Sequence, residues 1–135
     1  MGTDGAGSSN NLDLREALKT AALVQKAWRG DPASLPLDEL MAMGTVNGAK
    51  ALGLHSGVVE EGASADLILV DTGSSFFVPS HNFKANFIYS ANSSCIDTVI
   101  CDGRVIMEGG RVEGQEEVLA RAREEAARFL KKINA

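Results

Sequence analysis

The residues best suited to chemistry stand at the start of the sequence, which reads MGTDGAGSSNNLDL. Asp4 is flanked there by Thr3 and by Gly2 and Gly5, and glycines let a backbone approach a neighbouring group closely. Held at the end of a strand, this carboxylate would face a cleft above a sheet. A flexible N-terminal Asp without a role has the same local sequence, so spacing alone leaves both interpretations open.

Three polar residues after Asp4 are candidates for substrate binding. Ser8, Ser9 and Asn10 would stand on the rim of such a cleft, or would belong to a solvated loop that leads into a helix cap. The two histidines, His55 and His81, lie 26 residues apart in predicted loops. That spacing indicates neither a metal pair nor a catalytic pair, so we expect structural or solvent-exposed roles for both.

Sequence patterns of several common sites are absent. The chain contains no G-x-S-x-G nucleophile turn, no G-x-x-x-x-G-K-[ST] phosphate loop and no G-x-G-x-x-G fingerprint. Its two cysteines, Cys95 and Cys101, are six residues apart rather than in a C-x-x-C pair. We therefore expect two free, buried thiols and a reducing, cytoplasmic setting.

Length and composition indicate a single soluble domain. The chain has 135 residues, of which 44% are hydrophobic and 23% charged. A net charge of −5 disfavours nucleic acid, because phosphates require a basic surface. No apolar run approaches the roughly 20 residues that cross a bilayer, and the Gly/Ser/Asn-rich start is unlike a secretory leader. We expect neither a nucleic-acid partner nor a membrane segment.

Helices are the first elements that would position these residues. Apolar residues recur at helical spacing after Asp13, and Asp13 with Glu16 has the spacing of a capping box. The initial 12 residues are predicted to be a polar loop. The first helix is predicted to end at Gly30. A second is predicted to begin near Pro36, to be divided at Gly44 and to end at Gly53.

Strands are predicted in the second half of the chain. The apolar run Leu67–Val70 is typical of a strand buried on both faces, and short strands are also predicted at 58–59 and 85–91. Two β-branched runs around Asp102 and Gly103 predict a hairpin with a type I′ turn. A final helix carries an apolar stripe made of Val118, Leu119, Ala122, Ala126, Phe129, Leu130 and Ile133. Helices, then strands, then a helix indicate the α+β class.

Four longer stretches carry a family resemblance: GTDGAGSSNNLDL, MGTVNGAKALGL, SGVVEEGASADLILVD and NFIYSANSSCIDTVICDGRVIMEGG. In this order they resemble the C-terminal portion of amidohydrolase-superfamily enzymes. The most similar branch is that of deaminases and chlorohydrolases, which includes the 5-methylthioadenosine/S-adenosylhomocysteine deaminases. The resemblance covers nearly the whole chain. Departures are small: Ala63 stands where Lys is usual, and Ser56, Val58 and Val59 vary a Gly-Ser-Ile pattern.

This resemblance implies a fold. Residues 1–54 would form the end of barrel strand 8 and the following helices of an incomplete (β/α)-barrel. Residues 55–112 would form a segment of a small β domain, and residues 113–135 a C-terminal helix.

The resemblance also implies a site. Asp4 would bind the catalytic metal, Zn²⁺ or another divalent ion, and would accept the proton of the attacking water. Ser8, Ser9 and Asn10 would lie near the substrate. The reaction implied is the hydrolytic deamination of an adenosine-type or related heterocycle, a small-molecule substrate.

Much of such a site would lie outside this chain. The family takes its other ligands from a His-x-His pair and two later histidines, with a Glu as proton shuttle, and neither His55 nor His81 corresponds to any of them. A complete barrel takes about 250 residues, whereas this chain has 135. We expect it to bind no zinc by itself and to act only with the missing N-terminal barrel part.

Two hypotheses follow. In the first, the chain is the C-terminal part of a metal-dependent deaminase or related hydrolase. In the second, it is a non-catalytic, stand-alone α+β interaction domain. Without a barrel, the helix at Leu14–Trp28 and the strand at Leu67–Val70 would expose apolar surface, so a homodimer is expected. The alternative is a monomer whose C-terminal helix folds back over both surfaces.

Overall fold

Helices form the first part of the molecule and a small sheet the second, which confirms the α+β class. The computed structural model describes residues 1–134. Within them the helices are α1 (Ala6–Ser9), α2 (Leu14–Arg29), α3 (Leu37–Gly44), α4 (Val46–Ala51), α5 (Phe83–Ala85) and α6 (Gln115–Ile133). The strands are β1 (Leu67–Val70), β2 (Ile96–Cys101) and β3 (Arg104–Met107), in the order β1-β2-β3 and antiparallel throughout.

Both ends of α2 follow the sequence prediction. The Asp13 carboxylate accepts hydrogen bonds from the backbone N–H groups of Arg15 and Glu16, and Gly30 ends the helix with φ of +60°. The predicted reciprocal hydrogen bond of the capping box, from the Asp13 N–H to the Glu16 side chain, is not formed. The Glu16 carboxylate instead accepts a hydrogen bond from the Asn11 side-chain amide, and Asn11 Oδ1 accepts from the Asp13 N–H at 2.9 Å.

A close helix contact explains the glycine that divides the second helical stretch. Gly44 is the last residue of α3, and Thr45 separates α3 from α4. A Cβ on Gly44 would lie 2.7 Å from Leu18 Cδ1, so any larger residue there would require the Leu18 side chain to move. The buried Leu18 and Leu40 come from these two helices.

The core lies between α2, α3 and the segment that follows β1. Its buried apolar residues are Leu18, Ala22, Leu40, Phe77, Phe87, Ile88, Ala91 and Cys95. Phe83 stacks on both Phe77 and Phe87, with ring centroids 5.7 Å apart in each pair. Aromatic stacking and burial together hold this segment against the helices.

The strand predicted at 85–91 is wrong. Asn82 caps α5 by accepting a hydrogen bond from the Ala85 N–H at 3.1 Å, and the chain continues into a π-helical turn at Asn86–Ser90. Phe83 and Phe87 can stack because they are four residues apart on one helical face. The aromatic and β-branched composition of this stretch was a weaker determinant than its cap and its packing.

The hairpin is confirmed. Asp102 and Gly103 have φ of +49° and +75°, as a two-residue type I′ turn between β2 and β3 requires. Cys101 pairs with Arg104 directly across the turn. Asp66 braces the same turn, since its Oδ1 accepts a hydrogen bond from the Asp102 N–H at 2.8 Å.

Expected burial in the second half is wrong in three places. β1 is not buried on both faces, because Ile68 and Leu69 are about half exposed. Cys101 is exposed, whereas Cys95 is buried and burial raises its pKa. Residues 58–59 form no strand: Val59 is exposed in a loop bounded by glycines with positive φ. In each case the described residues place no second layer over the apolar side chain.

The C-terminal helix α6 does not fold back over α2 or β1. All of its residues from Gln115 to Ile133 are exposed. Its apolar stripe therefore faces solvent along the whole helix. No helix within residues 1–134 combines the length and the apolar character that a membrane crossing demands.

Candidate functional site

Asp4 lies in an exposed turn just before α1. Its φ of +61° is uncommon for a residue with a side chain, and its Oδ1 accepts a hydrogen bond from the Gly5 N–H at 2.7 Å. This hydrogen bond, together with the Ser8 hydroxyl, holds the pKa of Asp4 below its ordinary value. Asp4 is therefore an ionised carboxylate at neutral pH, open to solvent. No strand precedes it in the described residues.

The predicted rim residues belong to one short helical turn rather than to a loop. Ser8 and Ser9 are the last two residues of α1, and Asn10 follows in the left-handed region with φ of +58°. Ser9 Oγ donates a hydrogen bond to the Asn11 carbonyl at 2.6 Å. All are exposed. Ser8 thus acts on Asp4 by lowering its pKa, whereas Ser9 and Asn10 shape the turn that leads into α2.

A network centred on Asp13 anchors this segment to the core. Asp13 accepts hydrogen bonds from the Ser93 hydroxyl and from Arg15 Nη2, the latter at 3.3 Å. Arg15 is buried and its Nη1 donates to the Ile88 carbonyl at 3.3 Å. Burial raises the pKa of Asp13, but hydrogen bonds from Ser93 and Glu16 and the Arg15 charge together hold it below its ordinary value. The segment that bears Asp4 therefore ends at a fixed, charged network around Asp13, the Asp13 node.

Sequence reasoning missed this node. The capping role of Asp13 was visible from its position before a helical pattern. Its contact with Ser93, 80 residues away, leaves no local signal. A buried Arg at the second position of a helix resembles any solvated charge until its partners are known.

An open groove of about 680 Å³ lies beside the node. Its lining includes Ser93 and charged residues of both signs, namely Asp13, Arg15, Glu16 and Lys19. Asp4 is not among its lining residues. The groove is therefore formed in part by the hydrogen-bonded network around Asp13, and Asp4 does not line it.

The two histidines lie elsewhere. His55 Nε2 is 2.9 Å from a Glu60 carboxylate oxygen, and both side chains are exposed. His81 is exposed in the loop before α5. Across residues 1–134 there is no group of three His, Cys, Asp or Glu side chains arranged to hold a metal ion. Zinc sites need three or four protein ligands, so Asp4 would supply one of a set.

The sequence and the fold both match known proteins. Residues 1–106 match the profile of the Amidohydrolase family. The chain is 45% identical over 132 residues to 5-methylthioadenosine/S-adenosylhomocysteine deaminase 1 of Archaeoglobus fulgidus, covering 96% of this chain and 31% of that protein. It is 47% identical over 132 residues to 5′-deoxyadenosine deaminase of Methanoregula boonei, covering 98% and 30%.

The fold of this chain also matches part of several solved structures. An adenosine deaminase from Xanthomonas campestris with bound zinc superposes with a TM-score of 0.88 at 28% identity, covering 94% of this chain and 30% of that one. Atrazine chlorohydrolase from Arthrobacter aurescens, complexed with zinc, gives 0.78 at 27% identity, covering 89% and 28%. The chain spans about 30% of the length of the curated relatives that it matches.

Proposed function

We propose, from the premise that this chain belongs to the amidohydrolase family, that it forms the C-terminal part of a metal-dependent deaminase. The substrate class proposed is an adenosine-type nucleoside or a related amino-heterocycle. Support comes from the identity of 45–47% to deaminases that act on such nucleosides by name. The remaining part of the site would come from a barrel portion that the relatives possess and this chain does not span.

The observation that carries the proposal is the state of Asp4. It stands in the matched region as an exposed carboxylate, and hydrogen bonds from the Gly5 N–H and from Ser8 lower its pKa. An ionised carboxylate oxygen is an ordinary zinc ligand. When bound, the metal would lower the pKa of a coordinated water to near 7 and so supply the nucleophile.

The role of this chain follows from its own groups. Asp4 would hold one position on the metal and accept a proton as the water attacks the ring carbon that bears the amine. Ser8 lowers the pKa of the Asp4 carboxyl. Ser9 and Asn10 set the course of the backbone between Asp4 and the Asp13 anchor, and their exposed polar groups would face the substrate rim.

The test is to complete the barrel. We would fuse the N-terminal part of the Archaeoglobus fulgidus deaminase to this chain and measure ammonia release from adenosine-type substrates, together with bound zinc. Asp4→Asn keeps the shape but removes the charge and the proton acceptor, so the rate should fall by about three orders of magnitude or more.

Asp102→Asn is the matched control. Asn suits a type I′ turn as well as Asp does, so the turn and the rate should both be retained. A fusion whose Asp4→Asn variant keeps near-full activity and zinc content would refute the assignment of Asp4.

A second candidate function is a non-catalytic interaction domain. The observation that favours it for the chain alone is the absence, in the described residues, of a set of three metal-ligating side chains. The isolated chain should then release no ammonia from adenosine-type substrates and retain no stoichiometric zinc after desalting. Turnover above a metal-only control would contradict this.

A further inference from the structure

We propose that α6 pairs with the α6 helix of a second copy of this chain, antiparallel about a two-fold axis. The apolar stripe of α6 has no partner within the described residues. Val118 is 66% exposed, Phe129 64%, Leu130 57% and Ile133 62%. The proposal concerns assembly and does not depend on the deaminase chemistry.

The sequence of α6 is nearly symmetric about Glu124. Residues of the same kind stand at equal distances on either side of it: Ala122 and Ala126 at two, Leu119 and Phe129 at five, Val118 and Leu130 at six. A two-fold interface requires that when residue i of one copy meets residue j of the other, j also meets i. An antiparallel pair centred at the level of Glu124 satisfies this, since it brings large apolar residues level with large ones.

The centre of such a pair is suited to close approach. Ala122 and Ala126 lie on the apolar stripe nearest the axis, and their small side chains let the two backbones come together. Glu124 itself projects from the opposite side of the helix, as 3.6 residues per turn requires. It therefore remains in solvent.

Charge favours the antiparallel direction over the parallel one. Glu116 and Glu117 lie in the first turn of α6, and Lys131 and Lys132 in the last. Glu116 and Lys132 each stand eight residues from Glu124, so each lies level with the opposite charge of the second copy. Glu117 and Lys131, seven residues from Glu124, project from the same side as Glu124 and remain in solvent. A parallel pair would place like charges together. The helix dipoles oppose each other in the antiparallel pair as well.

The dimensions fit a modest dimer. Nineteen residues at 1.5 Å each make α6 roughly 28 Å long. Five large apolar side chains on each copy would be withdrawn from water along that length. We expect a reversible dimer with a micromolar dissociation constant rather than an obligate one.

Sedimentation velocity between micromolar and high-micromolar chain concentrations tests the proposal. The native chain should pass from monomer to dimer. Phe129→Glu should weaken the dimer about tenfold or more, because a charge would be buried at the apolar contact. Ala120→Glu, on the polar side of the same helix, is the matched control and should leave the dissociation constant unchanged. Equal helix content by circular dichroism would show that both variants fold.

A charge exchange tests the direction of pairing. A variant with E116K, and another with K132E, should each dimerise more weakly than the native chain. Mixed together they should form a heterodimer, because each end then meets its opposite charge.

Three results would overturn the proposal. One is a native chain that stays monomeric at high micromolar concentration. Another is a dimer that Phe129→Glu leaves unchanged, which would locate the contact on another surface. The third is preferential binding of α6 to the separately produced N-terminal part of the Archaeoglobus fulgidus relative. That result would assign this face to the remainder of an amidohydrolase chain.

Discussion

The helical region from α2 to Cys95 and the region from β2 to α6 use apolar residues in different ways. Every member of the apolar core lies between Leu18 and Cys95. Beyond Cys95, the single buried residue among those described is Thr98. The second region is nevertheless rich in Val, Ile and Leu, and α6 is as clearly amphipathic as α2.

The difference lies in the number of layers. α2 packs against α3 and against the turn around Ile88, so its apolar face is covered from two directions. The three-stranded sheet is a single layer, and α6 lies over neither of its faces. An apolar pattern thus specifies which face of an element can be buried. That face contributes to stability only where a second element packs over it.

Two leucine substitutions test most directly whether the two regions differ in burial. Leu40→Ala removes a fully buried side chain and should lower the free energy of unfolding by about 2–5 kcal/mol. Leu130→Ala, on the exposed stripe of α6, should change it by less than about 0.5 kcal/mol. Urea denaturation at low micromolar concentration gives both values. Equal losses would show that α6 is covered in solution.

A pair of glycines tests how firmly the loop before β1 is held to the helices. Gly57 has φ of +82°, and a Cβ there would lie 2.7 Å from the Val46 backbone nitrogen. Gly57→Ala should therefore destabilise the fold by about 1–3 kcal/mol. Gly62→Ala provides the control, because Gly62 has nearly the same φ but a Cβ there would meet no atom within 4 Å. This control should lose only about 1 kcal/mol, the cost of the backbone conformation alone. Identical losses would argue against the close contact.

The Asp13 node gives the helical region a pH dependence. The pKa of Asp13 in the folded chain lies below its ordinary value of 3.8. Its contribution to stability is therefore present above pH 3.8 and is lost as pH falls through the folded pKa. Asp13→Ala should cost about 1 kcal/mol at pH 7, the usual value of a helix cap, and progressively less below about pH 4.

Urea denaturation at about pH 7 and about pH 3 checks this. Asp38→Ala is the control, since it removes an exposed ion pair with Lys84 worth about 0–1 kcal/mol. A cost of Asp13→Ala that does not change with pH would contradict the charge-assisted network.

The smallest perturbation compares the two thiols. Cys101 is exposed on β2, so a thiol reagent should label it in the folded chain with little effect on stability. Cys95 is buried in the core and its pKa is raised, so it should react only when the chain unfolds. Labelling with and without denaturant, followed by mass spectrometry, distinguishes them. Fast labelling of both would mean that the core opens readily.

Prediction from sequence succeeded where neighbouring residues decide the outcome. The cap at Asp13, the helix end at Gly30 and the Asp102-Gly103 turn each depend on a few adjacent residues, and all three are confirmed. The stretch 85–91 failed because its cap, Asn82, and its stacking partner Phe77 lie outside it.

The residues of the candidate site also differ in whether the sequence could identify them. Asp4 could be singled out because family resemblance supplied what its neighbours could not, and its role as a metal ligand stays a prediction. Ser93 and Arg15 could not be found, since their importance comes from contacts between distant parts of the chain.

Those distant contacts also set an order of events during synthesis. Arg15 and Lys19 of α2 donate hydrogen bonds to the carbonyls of Ile88 and Tyr89, which are 73 and 70 residues further along. At about 5–20 residues per second, a ribosome needs roughly 4–15 s to add that length. During this interval a nascent α2 has its cap residue Asp13 but not its tertiary acceptors. Until Ile88 and Tyr89 have been added, α2 would depend on its cap and on α3 alone for its stability.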